Sequence, residues 1–337
     1  SQKVCQRQRT PVSGDLVMLR GEWKRRDLLV ADRGGAVARI EFFGPDGKMI
    51  NDPISRVVRP AVQGSHDWED IDSLVRVPES ARTARACVGI NGVSGGSVEV
   101  RDLGIEPMAE GPGEGPNILI ILIDTLRSDV LGAYGQPRPL SPAIDAFAAD
   151  SLVYEKAWTQ YTWTVPSVIS LFLSQYGRTH GWDSSAKRVN DGDFTEMPLE
   201  VPTLAELLKE QGYLTESHRA NSLTRHAIGL SRGFVVYDAA AHSPRRDIDI
   251  LSMASTDIAR WDSDGQPNFL YLHFMGPHTP LWPSAEGQAA AGVQLDIPEG
   301  GITGKDQAEG ESLEAYHSRF RDAYLASILD IDRHVGE

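Results

Sequence analysis

The run Ile118–Ile123 is unbroken aliphatic sequence, with Gly115 and Pro116 ahead of it and a single carboxylate, Asp124, directly behind. A run this apolar and this short reads as a strand buried on both faces, the pattern of a parallel sheet covered by helices. Parallel sheets place function just past the carboxyl ends of their strands, so Asp124 stands where a ligand is expected. Further on comes Thr162-Trp163-Thr164-Val165-Pro166-Ser167-Val168-Ile169-Ser170-Leu171. Pro166 suits the first turn of a helix, where its missing N–H needs no partner. Thr164 then sits at the mouth of that helix, among free N–H groups that favour an anion. A strand-end carboxylate facing a helix-start hydroxyl is a candidate metal and oxyanion site.

Composition narrows the partners. A net charge of -14 excludes a phosphate-rich nucleic-acid partner by long-range repulsion. No apolar run reaches the ~20 residues of a bilayer span. The length of 337 residues exceeds one ordinary core and points to two domains. Cys5 and Cys87 are too few for a disulfide scaffold or a zinc site. They either form one bridge pinning the N-terminal segment to a strand or remain two thiols. The first residue is Ser1, consistent with removal of a targeting segment and an extracytoplasmic location.

Residues 1–13, with Lys3, Arg7 and Arg9, read as an extended basic tail. Residues 14–108 show short β-rich stretches, as at 15–20, 36–43 and 96–103, without a helical period, and predict an antiparallel β-sandwich. Gly44-Pro45-Asp46-Gly47 supplies a turn, since proline presets one dihedral and glycine accepts positive φ. Trp23 and Trp68 are assigned to the core of this domain, with stacking on sugar rings as the alternative. Residues 109–116 form a Gly/Pro linker. From 117 to 337 strands alternate with helices. Ser141 is expected to cap a helix opened by Pro142, Thr203 a second helix closed by Gly212, and residues 269–275 a buried strand. Residues 284–312 look like an exposed insertion, followed by a helix over 313–334.

The segments PNILIILIDTLRSDVLGAYG and SPAIDAFAADSLVYEKAWTQYTWTVPSVISLFLSQYGRTHG resemble the N-terminal half of a sulfatase, in the alkaline phosphatase superfamily. Gly212-Tyr213-Leu214-Thr215, the stretch 233–238 and Asn268-Phe269-Leu270-Tyr271-Leu272-His273-Phe274-Met275-Gly276-Pro277-His278-Thr279-Pro280 agree in order. The resemblance implies a doubly wound α/β domain, incomplete at the C-terminus, preceded by the all-β sandwich. Around Trp68, Val75 and Cys87 that sandwich loosely resembles jelly-roll carbohydrate-binding modules.

Ester hydrolysis at sulfur or phosphorus needs a nucleophile, a metal, and positive charge around the equatorial oxygens. Thr164 stands where sulfatases carry the residue oxidised to formylglycine. A threonine cannot yield that aldehyde, because oxidation at its methyl-bearing carbon stops at a ketone. The resemblance therefore implies an unmodified threonine nucleophile, as in lipoteichoic-acid synthases and phosphoethanolamine transferases; the alternative is a plain helix cap. Thr125 replaces a second aspartate, which implies one divalent metal held by Asp124 and Thr164, unless Asp124 is a structural strand-end carboxylate. Val168 replaces the family's arginine or histidine. His278 matches a substrate-contacting histidine, or is a surface residue. Arg178 and His180 read as structural, and His273 as a satisfied core histidine. The family's later Asp-His or Asp-Asn metal pair is expected beyond Asp332-Arg333-His334-Val335-Gly336-Glu337, on a continuation or a partner chain. Two functions follow: a metal-dependent hydrolase or transferase of phosphate or sulfate esters on a glycan or lipid, or a catalytically inactive sulfatase-like subunit that binds or assembles.

Overall fold

The computed structural model describes residues 2–12, 16–50, 59–60, 64–107, 115–185, 188–189, 195–224, 228–237, 247–262, 265–304, 307 and 310–337. Most of the expected 109–116 linker lies outside them.

The N-terminal part is all-β. Strands β1 (Gln2–Cys5), β2 (Thr10–Pro11), β3 (Leu16–Phe43), β4 (Arg59–Pro60), β5 (Gly64–Arg76) and β6 (Thr83–Pro107) join in one antiparallel sheet. The short strands expected from sequence are pieces of β3 and β6, which run for 28 and 25 residues. Inward-facing residues switch from odd (Val17, Leu19, Trp23) to even (Leu28, Ala36, Ala38, Ile40, Phe42) along β3, and all join one apolar cluster. Irregular register between Trp23 and Leu28 makes that switch possible. Residues 2–5 are not a free tail: they pair with β6, and a disulfide joins Cys5 to Cys87. Trp23 is buried as expected, but Trp68 is only half-buried and carries the Arg101 guanidinium 4.1 Å above its ring.

The second part is built on four parallel strands, β7 (Ile118–Ile123), β8 (Leu214–Arg219), β9 (Val236–Tyr237) and β10 (Asn268–Phe274), in the order β7-β10-β8-β9. Alternation along β10 divides its covers. Phe269 and Tyr271 pack with α2 (Thr164–Leu173) and α4 (Leu204–Glu210), while Leu270, Leu272 and Phe274 pack with α5 (Asp247–Ile258) and α7 (Leu313–Gly336). Helices on both faces of the inner strands make this the expected doubly wound α/β arrangement, but β7 is not buried on both faces as expected: it is an edge strand, and its alternate residues Leu119 and Ile121 are exposed. On the α5 face, Glu216 and Asp257 share Arg260, and Asp257 also meets His218. Burial and the Asp257 charge push the Glu216 carboxyl up.

Local signals explain most of the remaining elements, namely α1 (Pro142–Ala149), α3 (Gly177–His180) and α6 (Ala285–Ala291). At α4, Thr203 and Glu206 form the reciprocal capping box, with Glu206 N–H donating to Thr203 Oγ1 at 3.1 Å. At α1 the expectation fails in part. Pro142 opens the helix, but the Ser141 hydroxyl donates to Asp145, and the first-turn N–H groups of Ala143 and Ile144 donate to Asp332 of α7. Residues 284–312 are exposed over much of their described length, as expected, but they are anchored to α7 by a few apolar side chains. Leu281, Leu295, Ile297 and Ile302 pack on Phe320, Ala323 and Tyr324, and Gly287 lets α6 approach α7 where a Cβ would lie 2.6 Å from Ala326 O.

Candidate active site

Asp124 is the first residue past β7, at the C-terminal end of the parallel strands. Its backbone N–H donates to Phe274 O, which ties it to the end of β10. Thr125 follows with a φ of 57°, and its carbonyl accepts from Tyr324 of α7 at 2.9 Å. The carboxylate is therefore held from both sides.

Three donors converge on one oxygen, Asp124 Oδ2. The Thr164 hydroxyl donates at 3.0 Å, Asn221 Nδ2 at 3.0 Å and His273 Nε2 at 3.1 Å. Burial alone would raise the Asp124 carboxyl, but the hydrogen bonds donated by His273 and by the Thr164 hydroxyl outweigh it. The group is held below the usual carboxylate range and stays ionised. Oδ1 accepts nothing from the described residues.

An ionised carboxylate only accepts, so His273 Nε2 carries the proton. Burial pushes the His273 ring down, leaving it neutral, and its Nδ1 accepts from the Tyr271 hydroxyl at 3.1 Å. Burial in turn raises Tyr271, which keeps its proton. The chain Tyr271 to His273 to Asp124 to Thr164 thus has one consistent set of proton positions. Asn221 lies just past β8, and its turn is fixed by Leu223 N–H donating to Asn221 Oδ1 at 2.8 Å and by Arg219 donating to Asn221 O at 2.9 Å.

The sequence-based assignments separate at this point. Asp124 and Thr164 meet as expected. Thr164 does not act as a side-chain cap: Trp163 holds the N-cap position, and the Thr164 hydroxyl is spent on Asp124. Val168 is buried in the apolar cluster between α2 and the sheet, so it lines no oxyanion site. His273 is a satisfied buried histidine, and it is also a site residue, which the sequence reading missed together with Asn221. A histidine in an otherwise apolar strand, three residues before Gly276, was the available signal. His278 donates through Nδ1 to Thr279 O, leaving Nε2 for a ligand. Its loop is fixed by Asp247, which accepts from Met275 N–H at 2.8 Å. His180 is structural as expected, accepting from Trp182 N–H through Nδ1 and meeting Ser170 Oγ through Nε2.

The residues here do not by themselves fit a metal ion. Among the described residues no trio of histidine, cysteine or carboxylate ligands surrounds Asp124, and its Oδ2 is already saturated by donors.

Comparison with known proteins bears on the α/β part as a whole. The sulfatase family model matches residues 116–337. Human iduronate 2-sulfatase is 34% identical over 117 residues, 34% of this chain and 20% of the relative. The Delta 4,5-hexuronate-2-O-sulfatase of Bacteroides thetaiotaomicron is 33% identical over 122 residues, 36% of this chain and 24% of the relative. The matched region thus spans less than a quarter of the length of either curated relative. A solved structure in complex with D-glucosamine-2-N,6-O-disulfate superimposes with a TM-score of 0.50 at 13% identity, covering 66% of this chain and 61% of that one, a likeness of fold. With the family model covering the whole α/β part, this chain is a member of the sulfatase family.

Proposed function

We propose that the chain belongs to a hydrolase of sulfate or phosphate esters on a sugar, with unmodified Thr164 as the nucleophile. The observation that carries this reading is the Thr164 hydroxyl on Asp124 Oδ2 at 3.0 Å, at the C-terminal end of the sheet. That bond directs the hydroxyl proton to the carboxylate and leaves the oxygen lone pairs for attack. His273 and Asn221 hold Asp124 in the orientation that accepts the proton. In this reading His278 donates through Nε2 to a non-bridging oxygen of the ester, which its Nδ1 bond to Thr279 O supports by leaving Nε2 free of that contact. A divalent cation on Asp124 and Thr164 requires further ligands outside the described residues, on a continuation or partner chain, and no step is assigned to it. The Cys5–Cys87 disulfide supports an extracytoplasmic location.

Val168 and the single carboxylate favour a second reading, a sulfatase-like subunit that binds without turning over. Turnover of an activated aryl sulfate and an aryl phosphate separates the two. Thr164→Ala and Asp124→Asn are expected to abolish it, while Thr164→Ser keeps part of it and the Thr164 peptide has the mass of unmodified threonine. Equal rates for wild type and Thr164→Ala would leave the binding subunit as the answer.

A further inference from the structure

The all-β part carries a charge arrangement that the ester site does not use. Register across β1, β6 and β3 pairs Lys3 with Gly89, Cys5 with Cys87, Cys87 with Arg39, and Arg85 with Glu41. Opposed residues share a face and alternate residues return to it, so Lys3, Arg39, Glu41 and Arg85 lie on one side of the sheet. The other side carries Ala38, Ile40, Phe42, Ala84, Ala86 and Val88, which form the core. The charged side therefore faces outward.

One carboxylate on that face meets three cations. Arg39 Nη2 donates to Glu41 Oε1 at 2.7 Å, joined there by Lys3, and Arg85 donates to Oε2 through Nε at 3.0 Å and Nη2 at 2.9 Å. A fourth cation, Arg9, stacks 3.5 Å from the centre of the Phe43 ring, with Arg85 5.2 Å from the same ring. Asp46, in the adjoining turn, is taken by Lys48 at 3.4 Å. Glu41 is buried and fully used, whereas Lys3, Arg39 and Arg85 each remain about one-third exposed, with N–H groups that donate to no described residue. Four cations against one buried carboxylate is a local excess of positive charge in a chain of net charge -14. The disulfide between Cys5 and Cys87 holds β1, and Lys3 with it, against β6.

We propose that this face is a docking site for an anionic, sulfated polysaccharide, separate from the ester site. Guanidinium groups match the paired oxygens of sulfate and carboxylate as planar forks. The cations spread over three strands, about 10 Å at the usual strand spacing, which suits the anionic groups of one or two sugar units. The net negative charge of the chain repels any long polyanion beyond the patch, which limits the contact to a short anionic stretch of the polysaccharide. The choice of a sulfated sugar rests on the proposed ester function; the binding itself does not.

Calorimetric titration of the purified protein with a heparin-derived tetrasaccharide and its desulfated counterpart, at low and physiological salt, tests this. The sulfated sugar is expected to bind, more weakly at higher salt, and the desulfated one not to bind. Lys3→Ala combined with Arg9→Ala is expected to weaken binding about tenfold or more while the protein still melts in one cooperative step at a somewhat lower temperature, since Arg39 and Arg85 remain on Glu41. Arg85→Gln supplies an independent check, and His278→Ala is expected to leave this binding intact. Unchanged affinity in the Lys3/Arg9 variant, or loss only in His278→Ala, overturns the proposal. Tighter binding of a single-stranded oligonucleotide than of the sulfated sugar overturns the choice of ligand. Turnover lost with binding retained would overturn the ester function alone, and the converse would overturn this inference alone.

Discussion

Asp247 offers a pH-dependent test of how the His278 loop is held. It lies at the start of α5 and accepts the Met275 N–H at 2.8 Å, directly behind the loop that carries His278. Burial, with a contribution from the Asp330 charge and against the amides of Met275 and Gly276, pushes its carboxyl from 3.8 to about 6. A folded-state value above the unfolded one means that the folded protein keeps a proton the unfolded chain has released. Its stabilising contribution is therefore fully present below pH ~4, declines as pH rises through about 6, and is absent above. The difference between 3.8 and about 6 corresponds to about 3 kcal/mol at neutral pH. Asp247→Asn keeps an oxygen for the two amides and removes the buried charge. Allowing for the weaker acceptor and a new amide group to satisfy, the variant is expected to gain about 1–2 kcal/mol at neutral pH. It is also expected to lose the decline between pH 4 and 6. Urea unfolding followed by tryptophan fluorescence at mildly acidic and neutral pH gives both quantities. An Asp247→Asn variant with the wild-type pH slope, or one less stable than wild type at neutral pH, would refute the reasoning.

Three further perturbations test the packing. Replacing Cys5 and Cys87 by serine opens a loop of sequence separation 82 and should cost about 2–4 kcal/mol, read as a lower melting point of the β part without reductant. Asp332→Ala strands the N–H groups of Ala143 and Ile144 at the start of α1 and should cost about 1–2 kcal/mol in urea unfolding, with Asp332→Asn recovering part. Gly233 has a φ of 82°, and a Cβ there would lie 2.1 Å from Glu206 N, so Gly233→Ala should cost more than about 2 kcal/mol and loosen the α4 capping box; wild-type stability in that variant would show the contact to be misplaced.

Sequence alone determined the elements whose signals are local. The aliphatic run Ile118–Ile123 announced a strand, though not that it would stand at the sheet edge with Leu119 and Ile121 exposed, and Thr203 with Glu206 wrote the start of α4 within one turn. The ordered motifs around Asp124, Thr164 and Gly276-Pro277-His278 carried the family. Tertiary structure decided what depends on register between distant strands. His273 and Asn221 are 149 and 97 residues from Asp124, and only the parallel pairing of β10 with β7 and β8 brings all three to one edge. Periodicity tells which face a side chain takes, but not which residue of another strand stands opposite it. The same limit explains α1, whose cap comes from Asp332 on α7, and residues 284–312, whose scattered apolar side chains gain meaning only against that helix. It explains the outward cations of the β part as well: Lys3, Arg39 and Arg85 are far apart in sequence and converge on Glu41 because antiparallel pairing and one disulfide put their strands side by side.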